Sequence, residues 1–543
     1  MSDQQWQLVN YSQEQIDAAI KFENTMQHIA ITLKSCTNCT RKFPGLSIDV
    51  NGHCDSCQED PIKFTERNNM KVSSTPDQLK NLSYIELMLI AIIHPIVLIY
   101  NEKKVGNKNE QKIAYKIVQN EVKVYDELPL LPSELSKFII FTNNLLTGFI
   151  SSFDGNFFNV RNEKLFEALS WLKENNRFYS NININHENFN KIPTNPEDWK
   201  RILFKESVEN KDEEFFLSNL YSTDKWLKNE GFLTMAFPHL FPNGNGDFNQ
   251  QRDKPLNHKE YITFLLQQED RRFINDKSFC FFAFNTYLWQ QTVEVSKSIT
   301  NNPSFVLNLQ DISDELLDKT LQSVPSTKAY WETRKDELFN MIERISMPTI
   351  FLTLTAADND WPDQLRFLGE PNFNQMHCSV REQIRLSKPD YAEYFFMKRV
   401  ELFFEHILKP VFNVEHYWYR YEWQSRGSPY IHAFLWFPKD QVPNRNYFEN
   451  HFQINETTKD YFRKFCYAIN PQKDAFDYDR AMNINCQKQF SDIAEEERLD
   501  DLNQLLNCFQ CTLKPDKLKY NQYLERNDDK MNFYNPFVTQ VRT

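Results

Sequence analysis

The sequence predicts a multidomain α+β protein, in which helical segments alternate with short β-prone segments. Apolar residues recur with helical spacing at residues 11–35, 261–268 and 328–345. A β-branched strand pattern at Thr349–Thr355 precedes an aromatic hairpin pattern at Glu415–Phe437. With 543 residues, of which 41% are hydrophobic and 25% charged, the chain is long enough for several folded domains.

Composition and charge argue against several classes of function. Only 10 of 543 residues are glycine, which disfavours the glycine-rich phosphate loops of nucleotide-binding folds. The net charge of −12 means that any contact with nucleic acid needs a local basic surface. The most apolar stretch, Leu87–Tyr100, is interrupted by His94 and Pro95 and is shorter than the ~18 residues of a membrane span. We therefore expect neither a bound nucleotide nor a membrane-spanning segment.

Two cysteine pairs near the N-terminus predict a metal site. The first ten residues show no secretory signal, so we expect a soluble intracellular protein, nuclear or cytoplasmic, whose cysteines stay reduced. Fourteen residues separate the Cys36/Cys39 pair from the Cys54/Cys57 pair. Because each Cys-x-x-Cys turn supplies two thiolates and four complete a tetrahedral shell, the pairs predict a structural Zn²⁺ knuckle. Ordinary buried cysteines are the alternative interpretation.

The region after the cysteines is predicted to be α/β. Leu79–Tyr100 has the pattern of a helix followed by extended apolar residues, and a further helical pattern covers Leu135–Asn144. The stretch from 181 to 212 is rich in asparagine, proline and charge, which predicts a linker or long surface loop. The predicted organisation therefore has five ranges: 1–65, with a helix and the knuckle; 66–180, the α/β region; 181–212, the linker; 213–460, a second large domain; and 461–543, a C-terminal extension.

The aromatic hairpin carries the polar residues of interest. Its two β-prone flanks enclose a Ser-Arg-Gly-Ser-Pro turn composition. With a five-residue connection, Gln424 would lie opposite Tyr430, and Glu422 opposite His432. Because side chains alternate along a strand, all four would project from one face. A carboxylate, an amide, a phenol and an imidazole would then converge, although a surface hairpin with a mixed polar face gives the same pattern.

Five groups of motifs follow one another from about residue 68 to the end of the chain. They include Leu82–Pro95, Ala236–Asp247 (AFPHLFPNGNGD), Asp270–Phe273, Pro348–Pro362 (PTIFLTLTAADNDWP) and Glu422–His432 (EWQSRGSPYIH). In this order they resemble the N-terminal part of Helitron transposases, the Rep/Helicase proteins of rolling-circle eukaryotic transposons. The corresponding family motifs are AFPxLFPxGxGD, PTxFxTLSAADxxWP and ExQxRGxPHxH.

The resemblance implies an HUH-endonuclease-like antiparallel sheet flanked by helices, acting on single-stranded DNA by nicking and strand transfer. In the family, two histidines flanking an apolar residue bind a divalent ion that polarises the scissile phosphate while a tyrosine attacks it. Here Tyr430 occupies the first histidine position and His432 the second. The implied site is therefore degenerate, with Glu422 and Gln424 helping to hold Mg²⁺ or Mn²⁺ weakly.

The C-terminal part departs further from the family. Cys508 and Cys511 look like the remnant of a His/Cys cluster, a candidate second zinc site. No tyrosine stands in a motif matching the family's nucleophiles, and no Walker A sequence occurs. The resemblance thus implies a degenerate or truncated transposase-like protein that cleaves DNA inefficiently.

Two functions of other classes stay open. One is a nucleic-acid-binding module without catalysis, in which aromatic residues such as Trp418 and Trp423 stack on bases beside Arg420 and Arg426. The other is a scaffold that contacts protein through the knuckle and the α/β region. The sequence predicts no oligomeric state.

Overall fold

The structure is a computed structural model that describes thirteen stretches of the chain. These are residues 12–31, 33–94, 96–102, 112–118, 124–135, 139–141, 157–209, 230–300, 319–325, 327–356, 361–370, 376–424 and 427–438. The chain divides into two compact units: Met1–Leu33 with Leu338–Thr543 form the terminal unit, and Lys34–Glu337 form the central unit. In the described part of the chain, no helix combines the length and apolar character needed to cross a bilayer.

The described residues mix helices and strands. The helices are α1 (Gln13–Ile31), α2 (Asp55–Glu59), α3 (Tyr84–Ile90), α4 (Pro132–Leu135), α5 (Asn162–Asn175), α6 (His186–Phe189), α7 (Pro196–Glu209), α8 (Phe232–Ala236), α9 (His258–Leu266), α10 (Arg272–Asn275), α11 (Lys277–Thr300), α12 (Lys328–Arg344), α13 (Pro362–Phe367), α14 (Cys378–Ser387), α15 (Pro389–Phe403) and α16 (Lys409–Phe412). The strands are β1 (Ile96–Glu102), β2 (Lys112–Val118), β3 (Glu127–Leu128), β4 (Ile139–Phe141), β5 (Asn183–Ile184), β6 (Ile350–Thr355), β7 (His416–Trp423) and β8 (Pro429–Trp436). Mixed α and β content agrees with the predicted class.

The central unit contains a three-stranded sheet of order β2-β1-β4, with β1 antiparallel to β2 and parallel to β4. Helix α3 begins at a capping box, in which Ser83 and Glu86 satisfy each other's backbone N–H groups. The helix followed by extended residues expected in Leu79–Tyr100 is thus present. The helical pattern expected after Leu135 is wrong at Ile139–Phe141, since this β-prone triplet pairs with β1 as a strand.

The stretch from 181 to 212, predicted as a linker or long loop, instead carries β5, α6 and α7. Trp199 on α7 is fully buried, and its indole N–H donates to the Pro193 carbonyl at 2.6 Å. The asparagines that suggested a loop act as helix caps: Asn185 accepts from the Glu187 N–H and starts α6, while Asn195 accepts from the Glu197 N–H at the start of α7. Capping residues and linker residues have the same composition, so composition alone could not separate them.

The terminal unit is built around an antiparallel sheet of order β6-β8-β7. This confirms the predicted sheet that joins the Thr349–Thr355 strand to the hairpin. One face of β7 packs on the end of the α15 helix, where the Phe404 ring lies 4.6 Å from the Tyr417 ring. Helix α1 packs within the same unit, with Phe22 against Phe403 at 6.1 Å. The predicted range 1–65 joined α1 and the four cysteines. The compact units instead place α1 in the terminal unit, with the sheet, and the four cysteines in the central unit.

Candidate metal centre and nucleic-acid interface

The four N-terminal cysteines converge in the central unit. Cys36, Cys39, Cys54 and Cys57 are all buried, and their sulfur atoms lie within 4.8 Å of one another. The Sγ atoms of Cys39 and Cys54 are 3.7 Å apart, close to the ~3.8 Å edge of a tetrahedron with Zn–S bonds of ~2.3 Å. The four thiols therefore have the spacing needed to bind one metal ion, as the two pairs predicted.

Two tight turns bring the pairs together. In the first, the Thr40 N–H donates to the Cys36 carbonyl at 3.0 Å, and Thr40 takes a left-handed conformation with φ 59°. In the second, Cys54 precedes helix α2 as its N-cap residue. Gly52 also has a positive φ of 84°, and a Cβ atom there would meet the Thr37 side chain at 2.8 Å. Glycine is therefore needed where the loop between the pairs approaches the first turn.

A buried guanidinium lies against the sulfur atoms. Arg41 is 5% exposed, and it donates through Nε to Cys39 Sγ at 3.2 Å and through Nη2 to Cys54 Sγ at 2.9 Å. Burial raises the pKa of Cys39 to about 11 even with this partner. Burial also acts to raise the pKa of Cys36, but backbone N–H donors, led by Cys39 and Cys54, outweigh it and lower that pKa to about 6. Arg41 is a site residue that the cysteine spacing does not predict; its only signal in the sequence is a basic residue two positions after Cys39.

The sheet of the terminal unit presents an ordered set of side chains on one face. Residues opposite one another on β6, β8 and β7 form three cross-strand rows: Phe351, Phe434 and Trp418; Thr353, His432 and Arg420; and Thr355, Tyr430 and Glu422. Directly opposed residues in an antiparallel sheet project to the same side. We call these nine residues the polar-aromatic face.

The polar rows form a connected network. The Tyr430 hydroxyl donates to Glu422 Oε2, and the Arg420 guanidinium donates to Glu422 Oε1. His432 Nδ1 lies 2.9 Å from Thr353 Oγ1, and its Nε2 lies 4.0 Å from Glu422 Oε2. Burial would raise the pKa of Glu422, but the bonds from Tyr430 and Arg420 prevail and lower it. A cation at this carboxylate would therefore have to displace a hydrogen bond.

The aromatic row forms a continuous surface beside that network. The Phe351 side chain is 57% exposed. Its ring lies 5.1 Å from the His432 ring, nearly parallel to it, and 5.3 Å from the Phe434 ring. The Trp418 ring continues the row at 6.1 Å from Phe434. Exposed ring faces of this kind can stack on planar ligands.

The register of the hairpin differs from the predicted one. Glu422 lies opposite Tyr430, whereas His432 lies opposite Arg420. The connection has the expected five residues but starts one residue earlier, because the Gln424 N–H donates to the Ser428 carbonyl at 2.9 Å and closes the turn. The pairing shifts by two residues, so Glu422, Tyr430 and His432 still share a face, while Gln424 follows the end of β7.

The other predicted site residues lie elsewhere. Trp423 projects from β7 on the side opposite Arg420, the side on which Phe396 of α15 packs against Tyr421. Alternation along the strand already separates the two residues, and this signal was available in the sequence. Arg426, Cys508 and Cys511 lie outside the described residues.

The AFPHLFPNGNGD segment forms part of the packed interior of the central unit. The buried Asp247 carboxylate accepts from the Leu233 N–H at 3.0 Å and the Asn249 N–H at 2.9 Å. The Tyr261 hydroxyl donates to the Gly246 carbonyl at 2.8 Å. Burial raises the pKa of Asp247. These contacts give the segment a structural role at the N-terminus of α8.

Two family models match parts of the chain. Residues 261–435 match the Helitron helicase-like domain at the N-terminus. Residues 57–190 match a domain of unknown function (DUF6570). No curated protein and no solved structure matches the chain. The first match ends at Leu435 in β8 and so includes nearly all of the β6-β8-β7 sheet.

Proposed function

Because residues 261–435 form a Helitron helicase-like N-terminal domain, we propose that the chain is a Helitron transposase-like protein whose polar-aromatic face binds single-stranded DNA. The observation that carries this proposal is the arrangement of that face in three rows, one aromatic and two polar, across three strands. Single-stranded nucleic acid is bound by surfaces that combine stacking side chains with groups that contact the backbone. The face supplies both on one side of the sheet.

The aromatic row favours an unpaired strand over a duplex. In a duplex the bases are stacked on one another, so their faces are not accessible to side chains, whereas an unpaired strand exposes them. Phe351 offers an exposed ring, and Phe434 and Trp418 extend it across the sheet. Each stacked base contributes about 1–3 kcal/mol when measured by alanine substitution.

The polar rows supply only modest attraction for phosphate. The side chains of Arg420 and His432 are 49% and 33% exposed, and they lie in the row next to the aromatic one. Arg420, however, already pairs with Glu422. Because Glu422 already neutralises Arg420, contact of this arginine with a DNA phosphate would release few counterions. DNA binding by this face should therefore be weak and should depend little on salt concentration.

We further propose that any cleavage by this chain is inefficient. The residues that would hold Mg²⁺ or Mn²⁺ are Glu422 and His432, with Tyr430 at the degenerate position and Gln424 at the strand end. A divalent ion would polarise a scissile phosphate. Both Glu422 oxygens accept hydrogen bonds, and a phenol replaces an imidazole ligand. This observation favours the second candidate function, a nucleic-acid-binding module without catalysis.

Binding of a labelled single-stranded oligonucleotide to the full chain, followed by fluorescence anisotropy, tests the proposed interface. Phe351→Ala and Trp418→Ala should each weaken binding about 5- to 150-fold, the equivalent of one stacked base. Trp423→Ala is the matched control, since Trp423 is 53% exposed but lies on the other face. If Trp423→Ala weakens binding and Trp418→Ala does not, the interface is on the α15 side. If the full chain binds no DNA, the scaffold function is favoured.

We also propose that Cys36, Cys39, Cys54 and Cys57 hold one structural Zn²⁺ ion, because a closed four-thiolate shell leaves no position for a substrate. Metal analysis of the purified full chain should find one zinc per chain. Cys54→Ser should lower the zinc content, whereas Cys378→Ser, which changes an exposed cysteine of the terminal unit, should not. A wild-type chain without zinc would rule out the site.

A further inference from the structure

We propose that Arg41 is a positioning residue of the four-cysteine site: its guanidinium compensates thiolate charge and thereby sets the affinity of the site for its metal. The inference rests on the proposed zinc site. Arg41 is buried, and its two donor atoms contact two of the four sulfur atoms at 3.2 Å and 2.9 Å. These hydrogen bonds join the second cysteine of one pair, Cys39, to the first cysteine of the other, Cys54.

The shape of the side chain explains why arginine occupies this position. A guanidinium presents several N–H donors in a rigid planar fork, so one side chain can bond two acceptors at once. A lysine ammonium at the same position is a single point charge at the end of a flexible chain. Arg41 can therefore fix the distance between Cys39 and Cys54 as well as neutralise charge.

The charge of the site requires such a partner. Four thiolates around a divalent ion carry a net charge of −2, which is unfavourable in a buried position unless it is paired or hydrogen-bonded. Arg41 lowers that net charge to −1. Groups that hydrogen-bond to metal ligands change metal affinity by about 10- to 100-fold when they are mutated. The two charge-assisted bonds to sulfur place Arg41 in this class.

The surroundings of Arg41 hold the guanidinium in place before any metal binds. The Arg41 carbonyl accepts from the Cys36 N–H at 2.8 Å, which ties its backbone to the first turn. Its guanidinium carbon lies 4.6 Å from the centre of the Phe64 ring. A role in packing alone is therefore the competing explanation, and the test must separate packing from charge.

Competition with a chelator of known zinc affinity, on the full chain, measures the effect. Arg41→Met keeps an unbranched stem against Phe64 but removes the donors, so we expect zinc to bind about 10- to 100-fold more weakly. Arg41→Lys keeps the charge, so its zinc affinity should lie between those of Arg41→Met and the wild type. Arg67→Met is the control, because Arg67 is an exposed arginine in the same unit. The zinc affinity of Arg67→Met should equal that of the wild type.

Cobalt substitution supplies a second readout that packing would not change. Hydrogen bonds to sulfur alter the thiolate donors, so the sulfur-to-cobalt charge-transfer band should shift in Arg41→Met and not in Arg67→Met. A zinc-loaded wild type whose affinity and cobalt band are unchanged by Arg41→Met would overturn the inference alone. If Arg41→Met does not fold, an Arg41→Lys chain with wild-type affinity and spectrum would overturn it. A wild type that holds no metal would overturn the zinc proposal and the inference together.

Discussion

The Tyr430 hydroxyl donates a hydrogen bond to the Glu422 carboxylate directly opposite it in the β7-β8 ladder. Arg420 donates to the other carboxylate oxygen. The most acidic group of the polar-aromatic face is therefore already satisfied within the protein. This contact determines how the face should respond to metal and to substitution.

Replacing Tyr430 should change the metal affinity of the face. Tyr430→His puts an imidazole beside His432 and frees Glu422 Oε2, so Mn²⁺ should bind about tenfold more tightly or better, the scale on which single groups around a metal act. Titration followed by the electron paramagnetic resonance of free Mn²⁺ measures this. Tyr430→Phe removes the hydroxyl without adding a ligand, so its Mn²⁺ affinity should increase less than that of Tyr430→His. Equal Mn²⁺ affinity of both variants would contradict the proposed role of the position.

Covalent attachment of DNA to this chain is not expected. Strand transfer needs a polarised phosphate and a tyrosine held in line with it, whereas Tyr430 is engaged with Glu422. Single-stranded DNA incubated with the full chain and Mg²⁺ or Mn²⁺ should give no slow-migrating adduct on a denaturing gel, and Tyr430→His alone should give none either. An adduct mapped to any tyrosine would show that the chain is a nuclease.

The ion pair between Arg399 and Asp363 should be important for the stability of the terminal unit. The two side chains are 11% and 17% exposed and lie 2.8 Å apart. The Arg399 guanidinium also lies over the rings of Trp361, at 4.5 Å, and Phe22, at 5.2 Å. Arg399→Ala leaves the largely buried Asp363 carboxylate without its cation, so we expect the free energy of unfolding to fall by about 3 kcal/mol.

Denaturant unfolding of the full chain measures that loss. Lys398→Ala is the matched control, because the neighbouring Lys398 forms a surface pair with Glu401 in which the side chains are 37% and 46% exposed. Such pairs contribute about 0–1 kcal/mol. Similar destabilisation by the two substitutions would contradict the importance of the Arg399 pair.

The stability of the central unit should fall in mild acid. His258 is 8% exposed, and burial lowers its pKa to about 4. The unfolded chain binds the proton near the ordinary histidine pKa of about 6.5, so the stabilisation is complete above that pH and is lost as pH falls towards 4. The loss should reach about 3 kcal/mol for this group.

A pH series of denaturation midpoints between pH 7 and 4 tests the assignment. His258→Phe keeps an aromatic ring against Phe248, whose centroid lies 5.4 Å from the His258 ring, and removes the titrating group. The slope of stability against pH should flatten, while the contribution of the buried His94, whose pKa burial also lowers to about 4, remains. Identical slopes for wild type and variant would contradict the prediction.

The sequence by itself determined the features that depend on local spacing. The two Cys-x-x-Cys turns predicted the four-sulfur cluster, since each pair needs only one turn to bring its sulfurs together. Strand alternation placed Glu422, Tyr430 and His432 on one face, and it did so although the register was two residues off, because a shift by two preserves the face. The order of motifs also indicated the Helitron helicase-like domain.

Tertiary structure alone decided the features that depend on contacts between distant segments. The sequence left two registers of equal parity for the hairpin, and the folded sheet has the one in which Tyr430 lies opposite both Glu422 on β7 and the distant Thr355 on β6. The burial of Trp199 turned a polar, linker-like composition into a packed helix. The association of α1 with α15 depends on Phe22 packing against Phe403, far away in sequence. The alignment of Arg41 with two sulfurs from different turns arises only when both turns are folded, because hydrogen bonds depend on distance and direction in space and not on position in the chain.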